Sequence, residues 1–67
     1  MSMQIVYQGK KTETDATTVG GFLASAGIGA GEAVVEYNGE IVGAAGAATT
    51  PLVEGAELNA YRIVAGG

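Results

Sequence analysis

The stretch Ala33-Val34-Val35-Glu36-Tyr37-Asn38-Gly39-Glu40-Ile41-Val42 decides how this chain folds. Ala33 to Tyr37 is rich in β-branched and aromatic side chains. Asn38-Gly39 is the strongest two-residue signal for a tight reversal, and Glu40-Ile41-Val42 resumes with strand-forming residues. The stretch predicts a pair of strands, with Val35 and Tyr37 pointing inward.

Toward the N-terminus, Val19, Phe22, Leu23 and Ala26 recur at i, i+3, i+4 and i+7. That spacing predicts an amphipathic helix with one apolar stripe facing a sheet. Asp15, Thr17 and Thr18 offer oxygens suited to capping its N-terminus, so the helix should start near Thr18. Gly27 is its natural terminator, and Ile28 should tuck back into the core. Gly20 and Gly21 each cost the helix about 1 kcal/mol relative to alanine, so tertiary packing must hold it together. Earlier still, Met3-Gln4-Ile5-Val6-Tyr7 alternates as a strand does. Gln8-Gly9-Lys10-Lys11 reads as a polar turn and Lys11 to Thr14 as the returning strand.

Toward the C-terminus, Gly43 to Pro51 has small side chains and little periodicity, which predicts a pliable loop that buries little. Leu52-Val53-Glu54-Gly55 reads as a turn. Glu57 to Val64 reads as a last strand, with Leu58 and Ala60 on one face and Asn59 and Tyr61 on the other. The order of elements predicts an α+β domain over residues 1–64, a mixed sheet of four to five strands packed on one helix, followed by a flexible tail at 65–67.

Composition narrows the chemistry. A chain of 67 residues forms one domain near the lower limit for independent folding. With no cysteine it has no disulfide, thiolate ligand or cysteine nucleophile, and a cytoplasmic location is the default expectation. With no histidine either, Ser2 and Ser25 lack a conventional general base. The scattered carboxylates read as solvated surface charge, and no segment has the oxygen alternation of a calcium loop. Gly27-Ile28-Gly29-Ala30-Gly31 has the wrong spacing for a dinucleotide-binding loop and lacks the Lys-Ser/Thr of a P-loop. No enzyme activity, metal or cofactor is expected. Seven acidic residues against three basic ones give a net charge of −4, the wrong sign for binding nucleic acid. No apolar run approaches the roughly 20 residues that span a bilayer, and the N-terminus lacks a signal-peptide pattern, so no membrane association is expected.

One feature that could carry chemistry remains. Ala65-Gly66-Gly67 follows the last predicted strand, and two glycines make a tail free of side chains, able to extend into a narrow channel. A carboxylate there is a poor electrophile until it becomes a mixed anhydride, a step that an ATP-using partner enzyme can supply.

Met3-Gln4-Ile5, the Thr18-Val19 helix start with Phe22-Leu23, the segment Val35 to Val42 and the ending Ile63-Val64-Ala65-Gly66-Gly67 together resemble the ThiS family of sulfur carriers in thiamine biosynthesis. The likeness covers nearly the whole chain and rests on the order and spacing of these segments. It implies a ubiquitin-like β-grasp fold. It also implies that the Gly67 carboxylate is adenylated by a ThiF-like adenylyltransferase with ATP, converted to a thiocarboxylate, and used by a ThiG-like thiazole synthase. By analogy with ubiquitin-like proteins, Val6, Tyr61 and Ile63 would form a partner-binding surface on the sheet face away from the helix. The chain departs from the family where Gly43 to Ala48 replaces a proline-basic pair and a tryptophan, and where Gly55-Ala56 replaces Gly-Asp. Three alternatives stay open: a carrier for another sulfur-containing product such as molybdopterin, a ubiquitin-like modifier that joins Gly67 to lysines of other proteins, and a plain interaction module with an inert tail.

Overall fold

The computed structural model describes residues 2–29 and 31–63. Among the described residues, five strands and two short helices follow one another as β1 (Met3–Tyr7), β2 (Lys10–Thr14), α1 (Val19–Ser25), β3 (Ala33–Tyr37), β4 (Glu40–Val42), α2 (Ala44–Ala47) and β5 (Glu57–Arg62). The strands form one mixed sheet in the order β2-β1-β5-β3-β4. The last strand therefore lies in the middle, parallel to β1 and antiparallel to β3.

The hairpin around Asn38-Gly39 forms as the sequence requires. Asn38 and Gly39 have φ of 49° and 87°, a conformation that asparagine tolerates and glycine adopts without steric cost. A two-residue turn fixes the register, so Tyr37 lies opposite Glu40 and Val35 opposite Val42. Val35 is buried and Tyr37 packs against the core from its margin. In the first hairpin the turn is shorter than expected: Lys10 already pairs with Tyr7, leaving only Gln8-Gly9 as the connection.

Helix α1 starts where its cap dictates. The Thr18 hydroxyl accepts the Gly21 amide at 3.0 Å, satisfying one of the orphan N–H groups at the helix start. Val19, Phe22 and Leu23 are buried, and the Phe22 ring meets the Tyr7 ring edge-on, 4.8 Å between centroids. Ala26, expected as the fourth member of the stripe, is exposed. The helix ends at Ser25, and Ala26 is its C-cap. Its place in the core goes to Ile28. With Gly27 at φ 80°, the Gly27 amide bonds the Ala24 carbonyl and the Ile28 amide the Leu23 carbonyl, the paired bonds of a Schellman motif.

The stretch from Gly43 to Thr50 differs from the pliable loop expected. Ala44–Ala47 forms a helical turn, and Ala47 is a buried core residue. Its small side chains have a physical use. A Cβ on Gly20 would come within 3.1 Å of the Ala48 Cα, so this glycine lets α1 and α2 approach backbone to backbone. Proximity offsets the helix-propensity cost that the sequence registers at Gly20. The following segment is tied to the start of α1: the Val19 amide donates to the Thr50 carbonyl and the Leu52 amide to the Thr17 carbonyl, both at 2.9 Å.

Every buried side chain among the described residues is apolar or lacks polar atoms, and the most enclosed are Ile5, Leu58 and Val19. Leu58 is completely buried on the central strand, with Ala56 and Ala60 beside it. The fold is thus α+β with a mixed five-stranded sheet, and two short helices in place of the single helix expected. Val64, expected in the last strand, lies outside the described residues. Leu58→Ala should lower unfolding free energy by about 2–5 kcal/mol in urea titrations, and Ile41→Ala on the exposed face by under about 0.5 kcal/mol. Equal midpoints for Leu58→Ala and the parent would mean that β5 presents its opposite face to the core.

Candidate functional site

The sequence points to two parts of the molecule: the tail and the sheet face that the helices leave uncovered. The tail residues Ala65, Gly66 and Gly67 lie outside the described residues. The uncovered face follows from strand alternation, because residues next to buried ones point the other way. Val6 on β1, Asn59 and Tyr61 on β5, Val34 and Glu36 on β3 and Ile41 on β4 share that face. Ile63 continues the alternation just past β5, its amide bonded to the Glu32 carbonyl at 3.1 Å.

Tyr61 is 55% and Ile63 57% exposed, so both present apolar surface where the sequence expected them. Val34 lies directly opposite Tyr61 across the β3–β5 ladder. One row along, the Asn59 carboxamide donates to the Glu36 carboxylate at 3.2 Å, and Ile41 stands opposite Glu36 on the other side, 68% exposed. The result is an exposed apolar strip of Val34, Tyr61 and Ile63 leading away from an oriented carboxylate that Ile41 flanks.

Val6 belongs to the same face but is half-buried and pairs with Glu57. Tyr61 lies four residues beyond Glu57, about 13 Å further along the strand at roughly 3.3 Å per residue. Along the uncovered face, Val6 thus lies in the row of Glu57, Ile41 in the next row with Glu36 and Asn59, and Val34 and Tyr61 in the row after, with Ile63 beyond. Val34 and Ile41 were not singled out from sequence, although the signal was present. Once Asn38-Gly39 is read as a two-residue turn, Ile41 must face Glu36, and any residue adjacent to an inward Val35 must face outward.

On the opposite side, a cleft of about 570 Å³ opens between α1, α2 and β3, lined by Leu23, Ile28, Val35 and Ala47 among others. Its described lining carries no titratable side chain, and the Thr18 hydroxyl at its margin is occupied in capping α1. The described lining leaves room but offers no group suited to acid, base or nucleophilic chemistry. Among the described residues no cluster of three or more acidic, histidine or cysteine side chains converges as a metal site would require. No described helix is long and apolar enough to cross a membrane.

No family model, curated protein or solved structure matches this chain. Function must therefore be argued from its own residues. Directly opposed aromatic and β-branched side chains stabilise a sheet by about 0.2–1 kcal/mol, so a Val34→Ala, Tyr61→Ala double-mutant cycle should give a coupling energy in that range by urea denaturation. Zero coupling would show that the two side chains do not meet across the ladder.

Proposed function

We propose that this chain is a ubiquitin-like sulfur carrier of β-grasp type, not itself an enzyme, which works through the carboxylate of Gly67. The observation that supports this most is the position of β5. The central strand of the sheet is the last described element before Ala65-Gly66-Gly67 in the sequence, with exposed Tyr61 on its uncovered face and exposed Ile63 just past its end. A partner that docks on that face would have the tail within reach of its active centre.

On this reading a ThiF-like adenylyltransferase binds the sheet face, burying Tyr61 and Ile63 as anchors together with Val34 and Ile41. A basic side chain of the partner complements Glu36, which Asn59 holds in place. A Gly67 carboxylate oxygen attacks the α-phosphorus of ATP and pyrophosphate leaves. Sulfur from a donor then displaces AMP to give the thiocarboxylate. Gly66 and Gly67 lack side chains, so the tail can thread a narrow channel to the nucleotide. The product acceptor is a ThiG-like thiazole synthase in the cytoplasm. The Ala/Gly-rich stretch from Gly43 to Ala48, where the resemblance fails, favours a second reading in which the sulfur goes to another product such as molybdopterin.

The test is the intact mass of the purified chain, and of a form lacking Gly67, after incubation with ATP, a ThiF-like enzyme and a sulfide source. The expected outcome is a gain equal to the replacement of one oxygen by sulfur, confined to the intact chain. No gain, with the enzyme competent on another carrier, would contradict the proposal. Higher-mass conjugates in cell lysates would identify a modifier instead.

A further inference from the structure

Two-residue turns with both central residues at positive φ favour asparagine, aspartate or glycine at the first position. Asn38-Gly39 conforms. Gln8-Gly9 does not: Gln8 sits at φ 52°, a left-handed conformation that is sterically unfavourable for a long L side chain. A residue kept in such a conformation is held there by its surroundings.

The surroundings of Gln8 are the backbone of β5. Its amide donates to the Leu58 carbonyl at 3.1 Å. Its side-chain Nε2 donates to the Ala60 carbonyl at 2.7 Å, and the Ala60 amide donates back to Oε1 at 3.4 Å. Strand β1 ends its pairing with β5 at Tyr7 and Leu58, whereas β5 continues to Arg62 and stays paired with β3 on its other side. Past Leu58, the β1 side of the central strand has no strand residue of β1 to bond. The Gln8 carboxamide offers one carbonyl and one N–H side by side, the polar complement of a peptide group.

We infer that the Gln8 carboxamide acts as a surrogate peptide unit that extends the β1–β5 ladder past the turn, making Gln8 a positioning residue for the end of β5 that carries Tyr61 and Ile63. Asn38 grips the start of the same strand from the other side, its amide donating to the Glu57 carbonyl at 2.8 Å and its Oδ1 accepting the Glu57 amide at 2.9 Å. The two turns thus hold β5 from opposite sides, at Glu57 and at Ala60, through carboxamides. Only the link to partner engagement rests on the carrier reading.

Gln8→Gly separates the two roles of the residue, because glycine suits φ 52° but has no carboxamide. If Gln8 served the turn alone, glycine would leave the Ala60 amide as protected as in the parent. The surrogate-peptide role predicts that Ala60 hydrogen exchange accelerates by roughly two- to tenfold in Gln8→Gly, while Glu57 stays protected. Gln8→Glu keeps the length and an acceptor for the Ala60 amide but sets a carboxylate oxygen against the Ala60 carbonyl in place of the donor; the repulsion displaces the side chain, so Ala60 exchange should accelerate here too, by less than in Gln8→Gly. With the ThiF-like enzyme and ATP, both variants should raise KM for the carrier by roughly two- to tenfold with kcat unchanged. Unchanged Ala60 exchange in both variants would overturn the inference. Accelerated exchange with unchanged KM would overturn the positioning role. An unmodified parent protein would count against the carrier reading, while the exchange result would still decide the clamp.

Discussion

The structure depends on the insertion of its last strand into the middle of its sheet. Until β5 lies between β1 and β3, the sheet is two separate hairpins, and an isolated hairpin is marginal in water. Leu58 is what makes the insertion favourable. It is completely buried, and with Ala56 and Ala60 it meets Ile5 from one hairpin, Val35 from the other and the apolar stripe of α1. Full burial of one leucine is worth about 1.5–3 kcal/mol, a large share of the stability of so small a domain. Because the insertion joins residues near opposite ends of the chain, it carries a loop-closure cost that favourable contacts must offset.

Tight approach elsewhere follows from how little volume is available. Gly20 lets α2 lie against α1, and Ala47 fills the gap that larger residues could not enter. The same central strand presents its other face to solvent, so one element fixes the core and displays Tyr61. On the proposed function that coupling is useful: whatever holds β5 rigid also fixes the surface next to the tail.

Local signals in the sequence were sufficient wherever structure is governed by short-range chemistry. Asn38-Gly39 gave its turn, Thr18 its cap, Gly27 its helix end, and the alternation of Leu58 and Ala60 with Asn59 and Tyr61 gave the faces of β5. What was not legible came from long-range contacts. Ala44–Ala47 has no periodicity to announce a helix, and its order comes from packing against Gly20. One miss was local: Ala26 fits the helical stripe by spacing, yet the helix end that Gly27 signals makes it the C-cap and leaves its place in the core to Ile28. For the site, the analogy with ubiquitin-like proteins set Val6 beside Tyr61 and Ile63; all three share the uncovered face, but that Val6 lies opposite Glu57 is a fact that only the β1–β5 pairing supplies. The grip of Gln8 on Ala60 spans 52 residues and has no sequence signature beyond an unusual residue at a turn.

The absence of cysteine makes the proposed chemistry directly observable, because a thiocarboxylate at Gly67 would be the only nucleophilic sulfur of thiol type in the chain. The most direct measurement is alkylation with iodoacetamide of the protein purified from its own cells, followed by trypsin digestion and mass spectrometry. The account predicts a single adduct on the fragment released after Arg62, Ile63 to Gly67, that disappears when Gly67 is deleted. An unalkylated Ile63 to Gly67 fragment from cells whose activating enzyme modifies another carrier would contradict it.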